Sequence, residues 1–496
     1  MRSLPILGIR ARMYAPPAVS FWYDNPLYHF VMKTGNNGNP GTYALPWLTV
    51  EFAVQNAAVT AGHTIWVGVG TYTEVVVMTQ GGVAGNPITL RCIPGELVII
   101  DGGATMGGTI QADDPAHGNW TIKDIHFHNT GADASGAQAI GFNYWPAGVE
   151  GDIPGWTIDG CSGNCGLYMM GTRHVVKNCL FDGSGCVTAI NCIHMRGLVT
   201  VNPIIQNNTV LHFSNRLIHL YNKISGARVL NNILHNGVQG VDFDGDGSYI
   251  SGGLIQGNVI DSFIAAGASI GISMENCINA PIVNGNTIFN CDRGIGCVDY
   301  WDGGGAGIDV NGVISNNVIY SCQRPMPCTT TKKWYVYHNS VFKITADTGF
   351  FELGNIRARC TGWVFANNLV YEAARNGMQT FVVGDNWTEL TVPTRHAVFV
   401  SDYNLLKPFN VDHVFMAEDT FHDDTLAEWI ADSAAAGNPC DAHSINGDPL
   451  VTNYAGDVYT LQAGSPCKLA GTPVGILTDR LGNPRSIVAP SIGAYE

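Results

Sequence analysis

An asparagine-centred unit recurs along the middle of the chain and limits what the chain can fold into. Short runs rich in β-branched residues flank each centre, as in "IIQNNTVLHF", "LIQGNVIDS" and "VISNNVIYSC", and the centres fall at positions 178, 208, 232, 258, 286, 317, 339 and 368. Their spacings lie between 22 and 31 residues, which is typical of solenoid repeats. We therefore expect one elongated stack in which each repeat buries its apolar residues against the next.

Each unit carries three short strands. Two of them flank the asparagine, and a third follows about ten residues later, as in "RLIHLYN", "GVDFD", "IGISMEN" and "GIGCVDY". Three strands per unit with Gly and Asn at the corners fit a coil of parallel strands, because a hairpin would have to reverse direction. Asn suits such a corner, since it tolerates left-handed backbone angles and can bond to the same residue in neighbouring coils. The pattern predicts an all-β parallel β-helix.

The repeat resembles the right-handed parallel β-helix (pectin lyase-like) families, which include pectate lyases, alginate lyases, polygalacturonases and phage tailspikes. Residues 49–74 resemble the capping helix and first strand of such proteins, and residues 82–103 resemble their first full coils. Residues 441–496 are similar to the C-terminal segment of bacterial β-helix repeat proteins. The resemblance implies a fold and a polysaccharide partner, on a secreted, cell-surface or virion-surface protein, but not one reaction. A phage origin would imply a homotrimer.

Three regions follow from these segments. Residues 1–40 match nothing and are predicted to be an N-terminal extension, residues 41–410 the parallel β-helix, and residues 411–496 a C-terminal closing segment. A short helix is predicted in the last region, where Thr425 and Glu428 have the spacing of a capping box.

The composition of the chain limits the classes of partner that it is expected to bind. The net charge of −15 argues against nucleic acid, because binding to phosphates requires clustered Lys and Arg. No run of 18 apolar residues occurs, so no membrane partner is expected. The 14 cysteines show no paired CxxC spacing of the zinc-ribbon kind, so no metal ligands are predicted among them.

The third strands of successive coils place polar residues on one exposed strip. Alignment of Ile218 with Val241 and Ile270, and of Leu220 with Phe243 and Ile272, turns the residues between them outward. Three outward columns are then expected: His219, Asp242 and Gly271; Tyr221, Asp244 and Ser273; Lys223, Asp246 and Glu275. A polysaccharide can lie along such a strip, because its sugars repeat in a line as the coils do.

Glycoside hydrolysis is the chemistry that this strip favours. It requires two carboxyl groups, one to protonate the leaving oxygen and one to attack the sugar or activate water. The predicted catalytic residues are Asp242, Asp244, Asp246 and Glu275. The predicted substrate-binding residues are His219, Tyr221, Lys223, Asp299 and Trp301.

Two alternatives stay open. In a uronate lyase, Lys223, His219 or Tyr221 would remove the proton next to the substrate carboxylate, with Arg216 or Ca²⁺ neutralising that carboxylate. The expected basic partner one coil later is missing, because "VDFDGDG" stands there. In a tailspike or adhesin, the same face would bind glycan without chemistry.

Glycoside hydrolysis by these residues would require no cofactor, but the acids could bind Ca²⁺. "DFDGDG" matches the start of an EF-hand loop, yet Gly253 stands where the bidentate Glu is needed. A Ca²⁺ ion would therefore be held by the three Asp residues together with Glu275.

Overall fold

The structure is a computed structural model. It describes residues 23, 25–105, 107–131, 137–142, 152–186, 190–245, 248–263, 269–298, 308–329, 331–345, 351–353, 362–371, 381–383, 399–407, 415–417, 422–423, 425–435 and 439–496. These residues form three long sheets whose strands pair in parallel with those of the preceding and following coils, apart from an antiparallel pair, Phe415–Ala417 and His422–Asp423, at the end of one sheet. The predicted right-handed parallel β-helix is confirmed.

The first sheet opens each coil. Its strands are Tyr28–Val31, Thr64–Val67, Ile88–Cys92, Trp120–Lys123, Thr157–Asp159, Val175–Lys177, Ile204–Gln206, Arg228–Leu230, Leu254–Gln256, Ile282–Asn284, Ile308–Ser315, Thr331–Tyr337, Trp363–Ala366 and Phe399–Asp402. The strand Tyr28–Val31 lies inside the segment that the sequence assigned to an extension.

The second sheet follows the first after a corner. Its strands are Gly70–Thr73, Val98–Asp101, His126–His128, Ser162–Gly163, Leu180–Asp182, Thr209–Leu211, Ile233–His235, Val259–Phe263, Thr287–Cys291, Val318–Tyr320, Ser340–Phe342, Leu369–Tyr371 and Leu405–Lys407.

The third sheet closes each coil and carries the predicted site. Its strands are Val76–Val77, Ile110–Ala112, Gln138–Phe142, Gly166–Met170, Ile193–Val201, Arg216–Ser225, Gln239–Asp244, Ile270–Glu275, Arg293–Val298, Met326–Thr329, Phe351–Leu353, Phe381–Val383, Phe415–Ala417 and His422–Asp423, with Ile250–Ser251 and Cys277–Ile278 beside this path.

An asparagine ladder joins the coils at the corner between the first and second sheets. Amide-to-amide hydrogen bonds of 2.9–3.1 Å link successive side chains at positions 208, 232, 258, 286, 317, 339, 368 and 404. Asn178 is not a member of the ladder, contrary to the sequence alignment. It occupies the preceding corner position, at φ 57°, and Cys179 takes the ladder position by donating its N–H to Asn208. Adjacent Asn residues at both positions of later coils made the two columns indistinguishable by residue type.

The core runs along the axis of the solenoid. Strand residues alternate between buried and partly exposed, as in Ile88–Cys92, so each coil contributes apolar side chains to one continuous interior. Val241 and Phe243 point into it with no exposed surface, as predicted.

Both predicted helices are present. The N-terminal helix Val50–Gln55 is capped by the Thr49 side chain, which accepts from the N–H of Phe52. The second helix, Leu426–Ala435, begins with the expected capping box: Thr425 N–H donates to Glu428 at 2.9 Å, and Glu428 N–H donates to Thr425 Oγ1 at 3.2 Å. None of the helices among the described residues is long and apolar enough to cross a membrane.

An antiparallel hairpin, Val451–Asn453 and Val458–Leu461, packs on the second sheet. Tyr459 of this hairpin stacks on Phe342 with ring centroids 4.0 Å apart and meets Tyr320 at 5.3 Å. Tyr320 and Phe342 of the second sheet are thus covered by the chain itself. The third sheet has no such cover from this hairpin.

Candidate active site

The pairing of four third-sheet strands sets the columns of the site. His194 is opposite His219, which is opposite Asp242, which is opposite Ser273. The neighbouring column contains Arg196, Tyr221, Asp244 and Glu275 in the same order. Each column therefore brings side chains from consecutive coils to within one strand spacing, about 4.8 Å.

The predicted register of one strand was wrong by two residues. Val241 lies opposite Ile272, not Ile270, and Phe243 lies opposite Met274. The strand has three inward apolar positions, at 270, 272 and 274, so alternation alone allows two registers. Gly271 therefore leaves the column of Asp242, and the glutamate moves from the column of Lys223 to that of Asp244.

Five of the predicted site residues come together: His219, Tyr221, Asp242, Asp244 and Glu275. Asp246, Asp299 and Trp301, by contrast, lie outside the described residues.

Lys223 is exposed on the strand that carries His219 and Tyr221, but it follows Asn222, which has a left-handed φ of 72°. That residue interrupts the alternation, so the position of Lys223 does not follow from the column of His219 and Tyr221.

Asp242 is completely buried and paired with a cation. Arg216 Nε donates to Asp242 Oδ2 at 2.5 Å. Burial raises the pKa of Asp242 well above its usual value, and Glu275 acts in the same direction while Arg216 opposes it. Asp242 Oδ1 has no hydrogen-bond partner among the described residues. Asp242 thus holds Arg216 in place from beneath the surface of the strip.

Asp244 belongs to the same cluster and is less deeply buried than Asp242, with 7% of its area exposed. Its Oδ2 accepts from His219 Nε2 at 3.4 Å and lies 3.7 Å from Arg216 Nη2. Because a carboxylate only accepts, we assign the His219 proton to Nε2. The side chain is thus held by a hydrogen bond from His219 and by the nearby positive charge of Arg216.

Glu275 extends the cluster by one coil. Its Cα is paired with that of Asp244, and its Oε1 accepts from Ser273 Oγ at 2.9 Å. Glu275 is half-buried, so its carboxyl group is held by a neighbour and still reaches the surface. Asp244 and Glu275 are therefore two outward carboxyl groups on adjacent strands, each with its own polar support.

A stack of rings continues the cluster toward earlier coils. The His194 and His219 rings lie 4.4 Å apart, and the edge of Tyr168 meets His194 at 4.9 Å. Burial lowers the pKa of both histidines, and the positive charges of Arg196 and Arg216 lower that of His194 further. Both histidines are therefore neutral near pH 7. Neither ring nitrogen of His194 has a hydrogen-bond partner among the described residues.

The prediction missed His194, Arg196 and the role of Ser273. Arg196 places its guanidinium 5.0 Å from the centre of the Tyr221 ring. The signal for the first two was present, because "CIHMR" repeats the apolar alternation of "RLIHLY" about 25 residues earlier. The contact of Ser273 with Glu275 was readable as well, because residues two apart on one strand point to the same face.

His219, Asp242 and Asp244 also satisfy the spacing of a metal site. Within the described part of the chain these three offer ligand atoms within 4.8 Å of one another, with His219 Nε2 3.6 Å from Asp242 Oδ2. One nitrogen and two carboxylates suit a zinc-class ion better than Ca²⁺, which prefers oxygen ligands only. Arg216 already supplies a positive charge to both carboxylates, which leaves less negative charge for a bound ion. Because of this charge and the nitrogen ligand of His219, the donor set fits Ca²⁺ poorly.

Comparison with known proteins supports the fold and leaves the activity open. No family model matches the chain. The uncharacterised protein YwoF of Bacillus subtilis (strain 168) is 29% identical over 145 residues, which are 28% of this chain and 31% of that protein. Pectate lyase PEL9 of Emericella nidulans is 37% identical over 86 residues, which are 17% of this chain and 20% of that protein. The chain thus spans less than a third of the length of these curated relatives.

One solved structure is similar over nearly the whole chain. The structure of XylC with xylose superimposes with a TM-score of 0.56 at 12% identity, and the match covers 94% of this chain and 98% of that one. At this identity the likeness concerns architecture alone. Together with the three parallel sheets, it shows that the chain is a right-handed parallel β-helix.

Proposed function

We propose that the protein is a glycoside hydrolase whose catalytic pair is Asp244 and Glu275. The observation that carries the proposal is their direct pairing on adjacent strands of the third sheet, where Glu275 is half-buried and Asp244 keeps 7% of its area exposed. Two carboxyl groups flanking one bond are the common requirement of glycoside hydrolysis. The other predicted acid in this part of the sheet, Asp242, is fully buried and positions Arg216.

The surroundings of the two carboxyl groups suggest distinct roles. Asp244 lies beside the guanidinium of Arg216 and accepts from His219, an arrangement complementary to a negatively charged nucleophile. Glu275 accepts from the neutral hydroxyl of Ser273 and is assigned as the general acid and base. Adjacent parallel strands lie about 4.8 Å apart, near the 5–5.5 Å separation of retaining enzymes. We therefore expect retention of the anomeric configuration.

The proposed substrate is a polysaccharide lying along the third sheet. The Tyr221 ring precedes Asp244 in the same column, one strand spacing away, and offers a face for a neighbouring sugar. The xylose in the XylC structure and the name of PEL9 support a carbohydrate as the substrate class. His219 and Lys223 remain predicted contacts of the substrate.

The test is to incubate the protein with a panel of neutral and uronic polysaccharides and to measure new reducing ends and absorbance near 235 nm. Hydrolysis yields reducing ends without ultraviolet absorbance. Asp244→Asn and Glu275→Gln should each lower the rate by about 10³-fold. Asp101→Asn is the matched control, because it alters a His–Asp pair of the second sheet, where Asp101 Oδ1 lies 2.9 Å from His128 Nδ1. Undiminished activity in either site variant would refute the assignment.

A second candidate is β-elimination of a uronate polymer. It is favoured by the contact between Arg196 and Tyr221, which would pair a cation for the substrate carboxylate with a tyrosine whose phenolate oxygen takes up the proton. A Ca²⁺ ion on the acids is an alternative cation for this candidate, although His219, Asp242 and Asp244 suit that ion poorly. Elimination predicts reducing ends together with absorbance near 235 nm, loss of both in Tyr221→Phe, and, if Ca²⁺ takes part, loss on treatment with a chelator.

A further inference from the structure

The N-terminal end of the solenoid contains a cavity that the proposed active site does not use. It has a volume of about 590 Å³, and the described residues that line it are the loop 40–44 and Tyr23, Asn25, Pro26, Tyr28 and His29. Small-molecule sites typically have about 300–1,000 Å³. The cavity lies on the first coil, whereas Arg216–Ser225 of the site belongs to the seventh, about 29 Å away at one strand spacing per coil.

Aromatic rings form the walls of this cavity and brace one another. Tyr23 and Tyr43 stack with centroids 4.0 Å apart, and Tyr28 meets Trp66 edge-on at 5.7 Å. His29 stacks on Trp47 at 5.1 Å with its plane tilted by only 10°. Rings held in this way present fixed faces, so little conformational entropy would be lost when a ligand binds.

The loop 40–44 is fixed by its backbone. Gly41 accepts from Phe30 N–H at 2.8 Å and donates to Leu45 O at 3.1 Å. Gly41 adopts φ +79°, and a Cβ there would lie 2.4 Å from the ring of Trp47, so only glycine allows this approach. The cavity wall is therefore built into the first coil.

The chemistry of the lining selects the class of ligand. Among the described residues that line the cavity, none is an Asp, Glu, Lys or Arg. Burial, with help from His63, lowers the pKa of His29 to about 4, so His29 is neutral at pH 7. The side chains of Asn25 and Thr42 and the hydroxyls of the tyrosines offer hydrogen bonds around apolar ring faces. A neutral sugar has the complementary combination of hydroxyl edge and apolar CH face.

We propose that this cavity is a second, non-catalytic site for a neutral glycan, one or two sugar units in extent. It would hold a polysaccharide at the end of the solenoid while another stretch of polymer lies along the third sheet. Two linked contacts raise the effective concentration of the polymer at the active site. The binding site itself does not depend on Asp244 or Glu275.

The proposal can be tested by titrating neutral oligosaccharides into the full chain and measuring binding by saturation-transfer NMR and calorimetry. The panel consists of xylo-, gluco-, manno- and galacto-oligosaccharides. Tyr43→Ala should weaken binding about tenfold or more, and Tyr43→Trp should retain it. Tyr335→Ala, on the first sheet away from the cavity, is the matched control. Tyr43 is 43% exposed, so its truncation should leave the fold intact, which circular dichroism would verify.

The two sites separate in the same experiment. Asp244→Asn should abolish hydrolysis and leave binding at the cavity unchanged, whereas Tyr43→Ala should leave hydrolysis of a small aryl glycoside unchanged. Binding that disappears in Asp244→Asn, or that persists unaltered in both Tyr43→Ala and Tyr28→Ala, would overturn the proposal. So would the absence of binding by every oligosaccharide of the panel.

Discussion

Two polar columns run through this solenoid, and their hydrogen bonding differs. In the asparagine ladder, Asn258 donates to Asn286 Oδ1 at 2.9 Å and to Val229 O at 3.0 Å, and its own Oδ1 accepts from the backbone and side chain of Asn232. In the third-sheet cluster, buried atoms of His194, His219 and Asp242 have no partner among the described residues. The hydrogen-bonding capacity of the ladder amides is used, whereas that of several buried atoms in the cluster is not.

This difference distinguishes buried polar residues that stabilise the fold from those that are retained for function. A buried polar group that forms its hydrogen bonds stabilises the fold modestly, whereas one left without a partner costs about 1–3 kcal/mol. A chain retains such a cost where the groups are needed for another purpose. The ladder therefore explains how the coils are held in register, and the cluster marks where the chemistry should be sought.

Removal of Arg216 should produce the largest loss of stability in the cluster. Arg216→Met leaves Asp242 buried without its cation, which should cost about 3–5 kcal/mol at neutral pH. Arg216 lowers the pKa of Asp242, so its loss raises a folded-state pKa that already lies above the unfolded value. The folded state then binds the proton more tightly than the unfolded state, and the loss of stability should shrink as the pH falls through the folded pKa.

Urea unfolding at neutral and acid pH measures this effect. The double variant Arg216→Met with Asp242→Asn is the control, because it removes the charge along with its partner and should recover much of the loss. An equal loss at both pH values would show that Asp242 is not the group left uncompensated.

Interruption of the ladder should be the next largest effect. Asn258→Ala removes one member and leaves an amide oxygen of Asn286 and the carbonyl of Val229 with one donor fewer, which should cost about 2–4 kcal/mol. Gln256→Ala, an exposed side chain two residues earlier, should change stability by less than about 0.5 kcal/mol. Specific activity of the folded Asn258→Ala protein should equal that of the parent. A change in activity without a change in stability would break the distinction between the two columns.

Sequence alone predicted the fold because its strongest signal is repetitive. Alternation with Val241 and Phe243 identified inward positions, and the recurrence of Asn identified the corners. The capping box at Thr425 and Glu428 was also readable, because it depends on two residues of fixed spacing. Each of these features is local or repeats with each coil.

The site was less predictable because it depends on register between strands. A third inward apolar residue, Met274, allowed a shift of two residues that separated Glu275 from Asp244 in the predicted columns. The burial of Asp242 beneath Arg216 could not be read from alternation either, since both Asp242 and Asp244 are outward positions of one strand. Exposure in a cluster depends on which neighbours cover each side chain.

Replacement of His194 should act in the opposite direction to disruption of the ladder. His194→Phe keeps a ring against His219 but removes two nitrogens that have no hydrogen-bond partner among the described residues, so stability should rise by about 1 kcal/mol. Activity should fall, because the new ring shifts His219 and the carboxyl group that it supports.

His174 provides the matched control for His194. It is fully buried as well, but its Nδ1 accepts from Trp156 N–H at 3.3 Å and its Nε2 lies 3.1 Å from Met170 O. His174→Phe breaks both contacts and should lower stability. Thermal unfolding of the two variants side by side measures the sign of each change, and equal signs would contradict the link between unsatisfied polarity and function.

An exposed His–Asp pair of the second sheet should show the smallest effect. His128 Nδ1 lies 2.9 Å from Asp101 Oδ1, a shorter contact than that of His219 with Asp244, but both side chains are open to solvent. His128→Ala should therefore change stability by less than about 1 kcal/mol. The hydrogen bond from His128 is the largest cause that lowers the pKa of Asp101, so the variant should raise that pKa toward its usual value, which carboxyl-carbon NMR can follow. A large loss of stability here would mean that contact distance, and not burial, determines how much such His–Asp pairs contribute to stability. Burial would then no longer distinguish the third-sheet cluster from other pairs.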